Sequence, residues 1–237
     1  MENKNEMVGN VTGKMKAIIR ANHESIDLNT TFYAINWFST KKEWMYHFYN
    51  FLATRSVLKV GAKPFFKGKV SKTFLDENNA GRELILIVKY PGGQNFIKLM
   101  EDTYFKLVSI FRILSVKKFT FGFTKKESLD NTSILEDRLS YAIHHFKMVD
   151  IDQSFFEKFN QFVNHDIQIK YAGSMIAQLY SQKIPASAEA IPNLMDGLVI
   201  FEAQSEELIQ EMFNSEVYQN LIKELDSSYI GFLDRIL

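Results

Sequence analysis

The sequence predicts an α+β chain in which two β-α-β-β-α-β halves pack sheet to sheet as an intramolecular α/β barrel. Three observations predict it. Short motifs of the first half of the 237-residue chain recur in the same order in the second. Strand and helix periodicities alternate in one order in each half. The third is composition: 21 Phe, 10 Tyr and 2 Trp bring aromatics to 14%, and such side chains favour half-buried pleated surfaces.

The matches begin in YAINWF and YAIHHF, where Tyr33, Ala34, Ile35 and Phe38 recur as Tyr141, Ala142, Ile143 and Phe146. Phe48 and Phe51 meet Phe156 and Phe159, and Gly61 of KVGA meets Gly173 of KYAGS. FIKLMEDTYF (96–105) lies against LIQEMFNSEVY (208–218), and Gly122 of FTFGF against Gly231 of SYIGF. Matches in one order over roughly 100 residues point to duplication.

Each half then reads element by element. A strand is expected over Phe32–Phe38 and over Leu139–Phe146. An amphipathic helix follows in KKEWMYHFYNFLATR and in DQSFFEKFNQFVNHD. Its apolar residues (Trp44, Phe48, Phe51, Leu52; Phe155, Phe159, Phe162, Val163) recur at three- and four-residue steps, and Asp152 suits an N-cap. Two strands come next, near Leu58–Phe66 and Leu84–Tyr90, and near Ile167–Tyr180 and Gly197–Phe201. A second helix is expected over 93–113 and 205–225, and a last strand over 117–124 and 228–236.

That order is the ferredoxin-like split βαβ unit. One sheet face is covered by helices, and the bare one must be buried, most simply against the other half. The division is an N-terminal arm (1–30), repeat 1 (31–125), a polar linker (126–137) and repeat 2 (138–237).

Composition narrows the function classes. Lys plus Arg and Asp plus Glu are 28 each, which argues against nucleic acid as the main partner, because phosphate backbones are held by excess cationic charge. The chain has no cysteine, so thiolate chemistry and disulfides are excluded. No apolar run approaches the ~18–20 residues of a membrane span, and MENKNEMVGNVTGKMKAIIR lacks a signal-peptide core. A cytoplasmic location is expected, with no membrane partner.

The second half resembles the small dimeric α/β-barrel domains related to antibiotic-biosynthesis monooxygenases, closest to an uncharacterised bacterial branch. The resemblance rests on a YxIxH first strand (Tyr141, Ile143, His145) followed by Asp150 and Asp152, on KYAG (170–173), and on FNSEVY (213–218). In the first half Asn36 and Trp37 stand where the second has His144 and His145. The resemblance implies a cofactor-independent monooxygenase-like enzyme or small-molecule binder, with an aromatic-lined pocket between sheet and helices and a small apolar or aromatic ligand. His145 is then its polar group, with His144, Tyr141 and Tyr171 as neighbours and Trp37 and Asn36 in the matching places of repeat 1.

The residues alone leave two readings of the histidines open. Neighbours in a strand point to opposite faces, so His144 and His145 look into different layers. Each is either a satisfied core imidazole or part of a polar site, where a neutral imidazole can act as base or donor. His165 loosely resembles the proximal haem-ligand region of chlorite-dismutase-like tandem chains; the plainer reading is a histidine at a helix C-terminus, where the dipole favours it. No cofactor and no metal site is expected, because no ligand spacing appears. A non-catalytic interaction protein is the alternative class. The assembly expected is a monomeric pseudo-dimer or a homodimer.

Overall fold

YAINWF and YAIHHF both fold as the inner strands of four-stranded sheets. The computed structural model describes residues 30–127, 139–150, 153–178, 189–190 and 196–237. The first half contains β1 (Phe32–Thr40), α1 (Glu43–Lys59), β2 (Lys63–Asp76), β3 (Leu84–Tyr90), α2 (Gly93–Glu101), α3 (Thr103–Ser115) and β4 (Val116–Lys126). The second contains β5 (Ser140–Met148), a 3-10 helix (Gln153–Phe162), β6 (Ile167–Gln178), the short β7 (Glu189–Ala190), β8 (Gly197–Ala203), α4 (Glu206–Asn214), α5 (Glu216–Lys223) and β9 (Leu225–Arg235). The expected linker lies outside the described residues except for Lys126, which ends β4, and Glu127; nearly all of the expected arm and the Asp152 cap lie outside them too.

Strand order is the same in both halves: β4-β1-β3-β2 in the first and β9-β5-β8-β6 in the second, all antiparallel. The sheets join edge to edge through β2–β9 and β4–β6, closing an eight-stranded barrel. Length makes this closure. β2 pairs with β3 through Lys63–Lys69 and with β9 through Gly68–Asp76. β6 likewise pairs with β8 through Ile167–Ser174 and with β4 through Gly173–Gln178. Closure gives every one of these eight strands a ladder partner on each side over part of its length, which removes the long free edges of an open sheet.

Alternation along the strands divides the apolar residues into three cores. Tyr33, Ile35, Trp37, Tyr141, Ile143 and Tyr171 fill the barrel interior. Phe32, Ala34 and Phe38 face the helices of the first half, as Ala142 and Phe146 face those of the second.

Several expected elements are revised. α1 runs on to Lys59 and β2 begins only at Lys63, because the helix ends in a Schellman motif. The Ala62 amide bonds the Val57 carbonyl at 3.1 Å and the Gly61 amide bonds that of Leu58 at 2.9 Å. Gly61 takes φ +75°, the left-handed conformation that only glycine adopts without strain. Gly61 therefore has no counterpart in Gly173. The register pairs Gly173 with Leu198 and Gly68 with Ile85, while Trp37 meets Ile85 and His145 meets Leu198, so Gly68 occupies the matching place. At both glycines a Cβ would press on the aromatic ring two residues earlier, Phe66 at 3.0 Å and Tyr171 at 2.8 Å.

Each expected second helix is two helices. Asp102 and Ser215 are extended and cap the following helix, accepting from the Phe105 amide at 2.9 Å and the Tyr218 amide at 3.3 Å. The helix expected in DQSFFEKFNQFVNHD is a 3-10 helix. Phe156, Phe159 and Phe162 recur at a three-residue step, which shares one face when a turn holds three residues, and all three are buried.

Candidate ligand-binding site

The site is built on one row of residues across the helix-facing side of the first sheet. Register places Phe121 beside Asn36, Asn36 beside Leu86, and Leu86 beside Lys67. The next row holds Phe123, Ala34, Val88 and Pro64. Above these rows, Ala53 of α1 with Phe96, Met100 and Phe105 of α2 and α3 leaves a cavity of about 220 Å3. Asn36 lies in its floor, with its amide nitrogen donating to the Leu86 carbonyl at 3.2 Å. Asn50 and the exposed Thr54 line the side toward α1.

Two cations line this space, whose other walls are mostly apolar and aromatic. Lys67 is 9% exposed, and its ammonium lies 5.6 Å from the Tyr46 ring centroid. Burial pulls its pKa below the ordinary lysine value, against a weaker pull upward from Glu43. The Arg112 guanidinium lies over the rings of Tyr49 at 5.8 Å and Phe119 at 5.6 Å. Burial raises the pKa of the Tyr49 and Tyr90 hydroxyls, and the charge of Arg112 acts the other way.

The equivalent layer of the second half is packed with buried side chains. The row there reads Ile230, His144, Val199, Ala172, and the next reads Phe232, Ala142, Phe201, Ile169. Phe201 thus stands where the first half has Val88, and Ala172 where it has Lys67. Phe146, Phe156, Phe159, Phe213 and Tyr218 complete the filling. His144 lies fully buried in this layer. Its Nδ1 is 2.8 Å from the Tyr218 hydroxyl and its Nε2 3.1 Å from Ser228 Oγ. Either tautomer is satisfied, since each hydroxyl can donate or accept. Burial pushes the His144 pKa down to about 3, so the ring is neutral at pH 7.

His145 points into the barrel interior. That is the opposite side of the sheet from the helix-covered layer in which its pocket was expected. Its ring lies 4.8 Å from that of Trp37 and 6.2 Å from that of Tyr229. Neither ring nitrogen has a hydrogen-bond partner among the described residues, and burial, with His144 and Arg82 nearby, holds its pKa well below the usual histidine value.

The other expected site residues are divided in the same way. Trp37, Tyr141 and Tyr171 share the barrel interior. Trp37 Nε1 donates to the Ala80 carbonyl at 3.1 Å, Tyr141 takes a bond from Arg235 at 2.9 Å, and the Tyr171 hydroxyl meets Thr124 Oγ1. Asn36 alone of the set reaches the cavity. His165 is exposed on a bend after the 3-10 helix. A haem pocket needs an apolar cleft beside its ligand, and the nearby layer is filled by aromatic rings, so the residues do not fit haem. No cluster of metal-ligating side chains occurs among the described residues.

Four residues of these two layers escaped the sequence reading. Tyr218 carried a signal in FNSEVY; Ser228, Lys67 and Arg112 carried none.

Comparison with known proteins places this geometry. No protein-family profile matches the chain, and no curated protein does. An anthrone oxidase-like protein aligns over 90% of this chain and 94% of its own, with 8% identity and TM-score 0.55. A suspected monooxygenase from Fusobacterium nucleatum subsp. nucleatum aligns over 88% and 93%, with 12% identity and TM-score 0.52. The chain has the dimeric α/β-barrel, ferredoxin-like fold, held within one polypeptide. A mutant chlorite dismutase from Candidatus Nitrospira defluvii aligns over 90% and 95%, with 11% identity and TM-score 0.46. No helix among the described residues is long and apolar enough to cross a membrane.

Proposed function

We propose that this α/β barrel is a small-molecule-binding protein of monooxygenase-like type, with its ligand seated in the first-half cavity. One observation carries the reading: the layer that Phe201 and its neighbours fill in the second half is left open over Asn36, Leu86 and Val88 in the first. The space opens to the surface beside Thr54, Ile236 and Leu237, which are exposed, so a ligand has a way in. A cavity with apolar walls and a few polar groups is the usual form of a ligand site.

The names of the structural neighbours supply the first chemistry to try. One of these neighbours is named for an aromatic compound, an anthrone, and the tyrosine- and phenylalanine-lined cavity suits an aromatic ligand. His144 is sealed beneath Tyr218 and Ser228 and His145 faces the interior, so neither is given a role at this cavity.

The test is a thermal-shift screen of small aromatic compounds, anthrones and phenols included, against the wild type and Val88→Phe. Compounds that raise the wild-type Tm and leave Val88→Phe unmoved are expected. Oxygen uptake with those compounds, recorded at an electrode, then separates enzyme from binder. A screen with no stabilising compound, or one whose compounds act equally on Val88→Phe, overturns the reading.

A further inference from the structure

We infer that the ligand of this cavity is a small amphipathic anion, an aromatic carboxylate, whose charge is met by Lys67 and Arg112. The inference rests on the cavity reading above and adds the ligand's charge to it.

The cavity is lined by two cations and by no acidic side chain; Leu237 also lines it, but bonds the Lys67 backbone amide at 3.3 Å and makes no ion pair with the ammonium. Elsewhere cations find acids readily: Lys69 pairs with Glu43 at 3.2 Å, Lys117 with Glu83 at 2.9 Å and Lys170 with Glu202 at 3.2 Å. Glu43 lies close enough to influence Lys67 yet bonds Lys69 instead. Neither Lys67 nor Arg112 is ion-paired among the described residues. Aromatic faces are the contacts they make, and these attract a cation without neutralising it.

A buried charge without a counterion is costly, and the depressed pKa of Lys67 is the signature of that cost. An anion in the cavity would remove it. A neutral ligand would deepen it, by displacing water from the ammonium and returning no charge. Arg112 adds a planar fork suited to a carboxylate. Its position over Tyr49 and Phe119 holds the stem in place, so little side-chain freedom is lost on binding.

The comparison within the molecule points the same way. Where the layer is closed, in the second half, the place of Lys67 is taken by Ala172 and no cation is stranded. Open space and unpaired charge therefore occur together. The walls decide what carries the charge. Ala53, Leu86, Val88, Phe96 and Phe121 offer no hydrogen bonds to a fully hydrophilic ion, so an apolar body must accompany the acid.

The test uses matched acids and primary amides on the full chain at pH 7: benzoate, 3-phenylpropionate and 2-naphthoate, each with its amide, and inorganic phosphate as a separate arm. Calorimetry is expected to show at least one acid binding about tenfold tighter than its amide. Lys67→Met and Arg112→Leu should each reduce that preference severalfold while leaving the amide's affinity in place. An amide as tight as its acid in wild type, or a preference that survives both substitutions, overturns the anionic ligand and leaves the cavity reading intact. Binding of inorganic phosphate alone overturns the aromatic body. No binding of any acid or amide overturns both readings. The wild-type acid-to-amide ratio is decisive even if a variant fails to fold.

Discussion

His144 and His145 are chain neighbours with opposite physical situations, and substitution should separate them. Phenylalanine at 144 would leave the Tyr218 and Ser228 hydroxyls without the ring nitrogens they meet at 2.8 and 3.1 Å. Such orphaned groups cost about 1–3 kcal/mol. Phenylalanine at 145 would instead remove two unpartnered nitrogens while keeping a ring against Trp37, so stability should hold or rise. Urea unfolding at pH 7.5 measures both, and a His145→Phe loss equal to that of His144→Phe would refute the contrast. The pH dependence follows from the same burial. An unfolded histidine protonates near pH ~6.5, whereas the folded His144 does so only at about 3. The unfolded state thus binds more protons between those values, and stability, fully present above ~6.5, is lost as the pH falls through that window. Each histidine contributes a slope of up to ~1.4 kcal/mol per pH unit. Unfolding free energies at pH 7, 6 and 5 should show a shallower fall in His145→Phe than in wild type.

At the scale of elements, α1 shows where pattern reading reaches its limit. Its existence was legible in KKEWMYHFYNFLATR, but its buried face was not. Trp44, Phe48 and Phe51 are 67%, 43% and 78% exposed, while Tyr46, Tyr49, Ala53 and Ser56 face the sheet. Both sets recur at helical spacing, and the more apolar one was the natural choice from sequence. The sheet takes the other because its small residues admit close approach and Tyr46 packs on Phe38 at 4.6 Å. Two substitutions test this. Phe51→Lys should change stability by no more than ~0.5 kcal/mol, as exposed positions do. Tyr46→Ala, in a packed site 2% exposed, should cost about 3 kcal/mol or more. Equal effects in chemical denaturation would contradict the assignment. The split of each second helix was likewise hidden. Asp102 and Ser215 sit inside continuous helical patterns, and only their side-chain bonds to the third amide onward reveal caps.

At the scale of the whole molecule, the fold was readable because the repeated β-α-β-β-α-β order constrains how two sheets bury their bare faces. Gly122 and Gly231 were matched correctly from sequence; in register they face Ile35 and Ile143. The cavity was not readable. It arises from a difference between halves at positions that become equivalent only through cross-strand pairing: Val88 opposite Ala34, and Phe201 opposite Ala142. Neither Val88 nor Phe201 is unusual as a strand residue, so no local pattern distinguishes them. This equivalence makes the last prediction. Val88→Phe places in the open layer the ring that closes the other one, and should abolish ligand binding with the fold retained. Phe201→Val does the reverse, removing a fully buried ring that packs on Phe159, Phe213 and Tyr218. Its cost should be about 2–4 kcal/mol, the range of large-to-small changes in packed cores. Chemical denaturation gives the second result and calorimetry with a bound aromatic acid the first. If Phe201→Val is tolerated without loss while Val88→Phe unfolds the chain, then the first-half space is not spare volume. The asymmetry between the halves would then lie in backbone separation and not in these two side chains.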